Sequence, residues 1–277
     1  MKKFWTFAVL ILNISLFCSA ANPARDFIYE PNEAGDGIVI TGYQGKKGGR
    51  IVIPDKIEGL PVVKFDCGPL DGWSEGLMYL SVNKKNIKRK LKDGSIRPRI
   101  TKVIFPDSIT EISAGEFGGT FESCTELKSV TLPDKVRAIP GLFSNNNPRL
   151  VNIKMPREVE IIGESAFSGC ENLKSIELPE GLKVIADYAF SGCGQLRSIK
   201  IPRSIEKIGS MAFGSCAELT KLDIPDKPIR YVSIELTFDA QLREYERADN
   251  SAFAGCSRLP LSARQKILNT GYQGRFN

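Results

Sequence analysis

The side chains in this chain that could do chemistry are thiols, hydroxyls, lysines and carboxylates; histidine is absent from all 277 residues. The commonest general base and the commonest metal ligand are therefore missing. Neither a Ser-His-Asp nor a Cys-His nucleophile can be assembled. Ser81-Val82-Asn83-Lys84 and Ser204-Ile205-Glu206-Lys207 match S-x-x-K, but so short a pattern arises by chance and has no companion motif here. The glycine-rich basic run from Gly42 to Gly49 lacks the spacing of a phosphate-binding loop and reads as a hairpin loop. No C-x-x-C pair occurs among the seven cysteines, which argues against a zinc site. The expectation is a chain with no cofactor, no metal and no catalytic residues, a binding protein and not an enzyme.

The elements that place these side chains repeat. Pro133, Pro156, Pro179, Pro202 and Pro225 are 23 residues apart, as are Leu127, Leu150, Leu173, Leu196 and Leu219; Cys170, Cys193 and Cys216 keep the same period. The unit reads L-x-x-[VI]-x-[LIM]-P, then a hydrophobic residue three after the proline, then roughly I-G-x-x-A-F-x-x-C. Weaker copies lie outside this run. Ile100, Val103, Phe105 and Pro106 open one; Leu77, Leu80 and Val82 read as an earlier strand; Ile51, Ile53 and Pro54 give the first. Asn147 stands in a cysteine position, and Ser251 to Leu259 restores the motif after an insertion.

Each position has a physical reading. The stretch before the proline is a short strand in which Val130 and Leu132 share the inner face. Ser129, Thr131, Asn152, Lys154, Ser175, Glu177, Ser198, Lys200, Lys221 and Asp223 then share the outer one. Proline ends the strand, where a missing N–H costs least. The second half is a returning extended segment, with Gly163 and Gly209 relaxing a bend. Ala166–Phe167, Ala189–Phe190 and Ala212–Phe213 are small and large core fillers. One unit cannot bury its apolar side alone, so stacked neighbours must make the core. Stacked cysteines point the same way, about one strand spacing (~4.8 Å) apart. That suits buried free thiols better than bridges.

The repeat resembles the BspA-type bacterial leucine-rich repeats (the 23-residue, TpLRR-like kind). The resemblance rests on L-x-x-I-x-[IL]-P-x-x-[VIL]-x-x-I-G-x-x-A-F-x-x-C, on the N-terminal stretch Ile38 to Val62 and on the ending "LNTGYQGRFN". It implies a leucine-rich repeat right-handed solenoid of short β-strands and turns, with a short C-terminal capping helix. It also implies export and, as in several family members, a role as a surface adhesin.

The expected organisation follows. Residues 1–20 read as a signal peptide, with Lys2 and Lys3 ahead of an apolar run from Phe4 to Phe17 and small residues at Ser19 to Ala21. Cys18 could mark a lipoprotein signal, but bulky Phe17 before it favours simple cleavage. Residues 21–65 hold the N-terminal segment and first repeat, 66–99 a degenerate repeat with a basic insertion, and 100–225 the regular repeats. An insertion at 226–250 precedes the final repeat and cap at 251–277. In the insertion Val232, Ile234, Leu236 and Phe238 alternate like a half-buried strand; it reads as a local cap or hairpin over the solenoid, ahead of the alternative of a binding loop or an oligomer contact. Ser262 is the expected N-cap of the terminal helix, and Gly271 follows its end.

Net charge without Lys2 and Lys3 is +4, and it is concentrated. Lys84 to Arg99 holds eight basic residues and one acidic, whereas the rest carries 28 basic and 31 acidic. Lys84, Lys85, Lys88, Arg89, Lys90 and Lys92 are thus candidates for docking an acidic protein, glycan or membrane surface, or else form a solvated charge run. Asn152, Lys154, Glu177, Lys200, Lys221 and Asp223 are the candidates on the sheet face. Glu177 and Asp223 lie two repeats apart, roughly 10 Å by strand spacing, and Lys200 between them neutralises them. The expected partner is a protein or glycan, host extracellular matrix included, and not nucleic acid. Membrane association would be peripheral or through a lipid anchor, and a homo-oligomer is open. The location is outside the cytoplasm: cell surface, secreted or periplasmic. The alternative to an adhesin is a periplasmic envelope scaffold that self-associates.

Overall fold

The computed structural model describes residues 21–43, 48–67, 100–114, 121, 124, 126–143, 147–236, 242–248 and 250–276. The leader, the strand expected at Leu77 to Val82, the basic segment and Phe238 lie outside these residues.

A short 3-10 turn leads into β1 (Phe27–Pro31), β2 (Ile38–Tyr43), β3 (Gly49–Val52), β4 (Lys56–Ile57) and β5 (Leu60–Cys67). Strands then come in twos. β6 (Ile100–Ile104) is followed by β7 (Glu111–Ala114), β8 (Ser129–Thr131) by β9 (Ala138–Ile139), and β10 (Asn152–Lys154) by β11 (Ile161–Ile162). β12 (Ser175–Ile176) precedes β13 (Val184–Ile185), and β14 (Ser198–Lys200) precedes β15 (Lys207–Ile208). The chain ends with β16 (Lys221–Asp223), β17 (Arg230–Leu236), β18 (Leu242–Ala248) and a single helix, α1 (Leu261–Asn269).

The first member of each pair stacks on its counterparts, β3-β6-β8-β10 and then β12-β14-β16; the second members stack as β9-β11-β13-β15-β17, with β5 beside β7. Pairing between repeats is parallel and shifted by one repeat, as in Ser129↔Asn152 and Lys200↔Asp223. The result is a β-solenoid of about six turns with two strand faces.

The core between the faces is a set of columns. Phe121, Phe143, Phe167, Phe190, Phe213 and Phe253 form a continuous stack, with ring centroids 5.3–5.4 Å apart and planes within 18°. All six rings are fully buried, and each stabilises the fold by about 1.5–3 kcal/mol through removal from water. Each end of the stack is closed by edge-on rings. Phe105 meets Phe121 at one end, and Tyr272 meets Phe253 at the other. The Tyr272 hydroxyl donates to the Asn250 carbonyl at 2.9 Å. Tyr231 and Thr270 join their hydroxyls at 2.6 Å beside it.

Cys124, Cys170, Cys193, Cys216 and Cys256 are buried free thiols, as the repeat geometry requires. Each of three donates back to the carbonyl of a phenylalanine in the preceding turn: Cys193 to Phe167 at 3.3 Å, Cys216 to Phe190 at 3.2 Å, Cys256 to Phe213 at 3.0 Å. Burial pushes the Cys124 and Cys193 thiols up to about 12. Cys216 is raised by its hydrogen bond with Cys256 and by burial, and Cys170 by burial.

A stability effect with a definite sign follows. Unfolded thiols ionise near their ordinary value of 9.0, whereas folded Cys193 holds its proton to about 12. Between those values the native state binds more protons than the unfolded one. This contribution is whole below pH 9 and is lost as pH rises towards 12. The melting temperature should fall from pH 8 to 11, and more shallowly in Cys193→Ala. Parallel slopes in the two proteins would refute it.

The structure departs from the sequence reading in three places. Gly209 is not a left-handed bend residue; a Cβ there would sit 2.5 Å from the Asp187 backbone nitrogen, so close approach of two turns demands glycine. Left-handed backbone falls instead just before the Ala-Phe pairs, at Ser165, Tyr188 and Met211, and just before the cysteines, at Gly169, Gly192, Ser215 and Gly255. Second, Gly42 to Gly49 does not close a hairpin: β2 pairs with β1 and β5 while β3 pairs with β6, so the run crosses between sheets. Third, the helix starts two residues earlier than an N-cap at Ser262 implies, with Pro260 at the N-cap and Ser262 inside the first turn. Gly271, at φ 102°, does follow the C-cap Thr270.

The insertion is a hairpin. β17 continues the second face beside β15 and then pairs antiparallel with β18. Ile234 lies on Val184 and Ala186 in a small second core. Asp187 fixes it there. Its Oδ1 accepts from the Ile234 and Ser210 backbone N–H groups, each at 2.7 Å, and its Oδ2 from the Ser233 hydroxyl at 2.5 Å.

Candidate ligand-binding groove

Strand alternation sends every second residue of the first face outward. Two columns result. One carries Ser129, Ser175, Ser198 and Lys221, with Asn152 at the backbone position in register with Ser129; the other carries Thr131, Lys154, Lys200 and Asp223, with Glu177 one residue past β12. The inner alternates, Val130, Ile176, Ile199 and Leu222, are buried and hold the columns in register. The sheet-face candidates thus lie together, with Lys154, Glu177, Lys200, Lys221 and Asp223 exposed. Lys84, Lys85, Lys88, Arg89, Lys90 and Lys92 fall outside the described residues.

Over β12, β14 and β16 the face is an open groove of about 800 Å³, and α1 raises one wall with Pro260, Ser262, Ala263 and Lys266. Glu177, Lys200, Lys221 and Asp223 all line it. Sequence reasoning missed two contributors. Glu180, past the strand-ending proline, binds the Lys200 ammonium at 3.0 Å. That hydrogen bond, ahead of the general attraction of Glu180, raises the Lys200 pKa. Lys266 comes from the helix, outside the repeat.

Chemically, the groove offers ammonium groups, carboxylates and hydroxyls around apolar side chains such as Leu178 and Ala263. Every buried thiol named above points into the core. Among the described residues no cluster of three or more cysteine and carboxylate side chains could hold a metal ion, and no helix is long and apolar enough to cross a membrane. The arrangement is suited to recognising a ligand by charge and hydrogen bonding.

The BspA type leucine rich repeat region matches in 6 copies, over residues 96–220 and 140–260. The chain belongs to the BspA-type leucine-rich repeat family. A crystal structure of the T. pallidum leucine-rich repeat protein (TpLRR) is 27% identical with a TM-score of 0.69, the alignment covering 93% of this chain and 99% of that one. A leucine-rich repeat protein from Bacteroides ovatus aligns at 22% identity with a TM-score of 0.46, over 73% of this chain and 52% of the other. No curated protein matches the chain. Proteins of the leucine-rich repeat fold are generally non-catalytic binding scaffolds, and membership of this family suggests protein–protein interaction.

Proposed function

We propose that this BspA-type repeat protein is exported and non-catalytic, and that it binds a protein or glycan through the first-face groove at or beyond the cell envelope. The observation that carries this reading is the groove itself. A two-column polar face is walled by a helix and holds exposed charges of both signs. Rigid elements that pre-place side chains lower the ordering cost of binding. The apolar run behind Lys2 and Lys3 supports export, and the basic segment supplies a second, electrostatic contact.

Two experiments test the reading. Protease treatment of intact and permeabilised cells should digest the mature chain on intact cells; protection until permeabilisation would confine it to the envelope and remove the adhesin role. A binding screen against extracellular-matrix proteins and glycans should yield a ligand whose affinity falls in Lys88→Ala/Arg89→Ala/Lys90→Ala, more so at low salt. Unchanged affinity across salt would remove the basic segment from the binding surface.

A further inference from the structure

Neighbouring turns of the solenoid are tied together by backbone bonds, and one arc of the circumference lacks those ties. On the first face, the chain enters each strand with a backbone bond to the turn before. Lys128 donates to the Thr101 carbonyl at 2.9 Å, Val151 to Lys128 at 3.2 Å, Arg197 to Lys174 at 3.0 Å and Thr220 to Arg197 at 3.1 Å. Among the described residues, the equivalent bond from Lys174 to Val151 is missing. β10 and β12 lie side by side but do not pair, so the first face divides there into two sheets. The thiol column is interrupted beside the same gap. Cys193, Cys216 and Cys256 each donate to a phenylalanine carbonyl of the turn before. Cys170 makes no such bond among the described residues, because the carbonyl in the matching place, that of Phe143, accepts from the Asn147 side-chain amide at 3.0 Å. The Asn147 Oδ1 is buried without a partner. The sequence gives the cause: Asn147 follows Phe143 by four residues, whereas Cys170 follows Phe167 by three. The asparagine therefore folds back on its own turn.

Both ends of this arc are closed. The Phe143 N–H bonds to the Ala166 carbonyl at 3.1 Å on one side, and β11 pairs with β13 on the other. Among the described residues one hydrogen bond crosses the arc itself, from the Asn172 side-chain amide to the Pro148 carbonyl. A solenoid turn is coupled only to its neighbours, so bending concentrates where neighbours share the fewest bonds. We propose that the β10–β12 seam is a hinge. The turns up to β10 and those from β12 onward rock against each other about the second face, and Asn172 is the latch across the opening. The groove gives this motion a role. Its lining begins at Ser175 of β12 and reaches α1, so it lies wholly on the C-terminal side and the seam is its far rim. Closing brings Lys154 of β10 alongside Glu177, and opening draws it away. The rim thus adapts to a ligand, whichever class the groove takes.

Two nuclear magnetic resonance measurements on the full mature chain test the hinge. The amides of Lys174 and Ser175 should exchange about a hundredfold faster than those of Arg197 and Lys221, which are equally exposed but bonded at 3.0 Å each. Residual dipolar couplings, fitted separately for β6 to β9 and for β12 to β16, should give alignment tensors differing in magnitude by about 1.2-fold or more, because hinge motion averages one half more than the other. Asn172→Ala should widen that difference. Gln195→Ala, at the matching place in the next turn where the ladder is intact, should not. Neither side chain is buried, so the fold is not at stake. One tensor fitting both halves in the wild type and in Asn172→Ala would make the seam a fixed gap and overturn the proposal. Exchange at Lys174 and Ser175 as slow as at Arg197 and Lys221 would show a closed ladder and overturn it as well. Equal widening in Gln195→Ala would spread the bending over all turns and leave no hinge.

Discussion

Phe190→Ala is expected to cost about 3–5 kcal/mol and to turn a single unfolding transition into two. Phe190 is fully buried and lies between Phe167 at 5.3 Å and Phe213 at 5.4 Å, its ring nearly parallel to both. Truncation opens a void that the turns above and below cannot close, because their spacing is fixed by strand pairing on both faces. In a solenoid, each turn is stabilised by its neighbours alone. A break in the middle of the stack therefore uncouples the N-terminal turns from the C-terminal ones. Urea denaturation followed by far-ultraviolet circular dichroism should show two steps. Phe190→Leu, which preserves most of the volume, should keep one step at lower midpoint. A single step in Phe190→Ala with an unchanged slope would mean that cooperativity passes through the strand ladders and not through the rings.

Asp187→Ala should release the hairpin while leaving the repeats folded. The lost carboxylate leaves the N–H of fully buried Ile234 and that of Ser210 without this acceptor. Hydrogen bonds to a charged group contribute about 1.5–3 kcal/mol each, and an orphaned buried donor adds its desolvation cost. A local destabilisation of about 3 kcal/mol is expected. Hydrogen exchange at the Ile234 amide should accelerate on the order of a hundredfold, with Phe167 and Phe190 amides unchanged. Asp187→Asn keeps one acceptor oxygen and can donate to Ser233, so it should lose far less. Equal acceleration throughout the chain would show that the hairpin unfolds only with the solenoid.

Much of this architecture was legible in the residues. Proline, leucine, cysteine and the Ala-Phe pair each recur because each fills the same place in every turn, and periodic demands leave periodic traces. The two outward columns could be read because strand alternation is itself periodic, and five of the six sheet-face candidates line up exposed on one surface. What escaped was aperiodic. Asp187 breaks the pattern, with Ala186-Asp187 standing where Gly163-Glu164 and Gly209-Ser210 stand in adjacent repeats, but its partner Ile234 is 47 residues away. Gly209 looked like a bend residue because glycine at a bend is common; its actual neighbour belongs to another turn. Lys266 reaches the groove from the terminal helix, whose docking onto β16 no repeat position encodes. The run Gly42 to Gly49 had a hairpin's composition, yet its flanking strands join different sheets.

The Phe213 and Phe253 rings stack at 5.3 Å and 8°, like the pairs 23 positions apart, although 40 positions separate them. The detour through β17 and β18 leaves the column undisturbed. Chain length and rung number are thus independent at this point along the molecule. Foreign sequence could be spliced in there, or the native detour exchanged, without renumbering a single core contact, much as a display framework carries interchangeable loops.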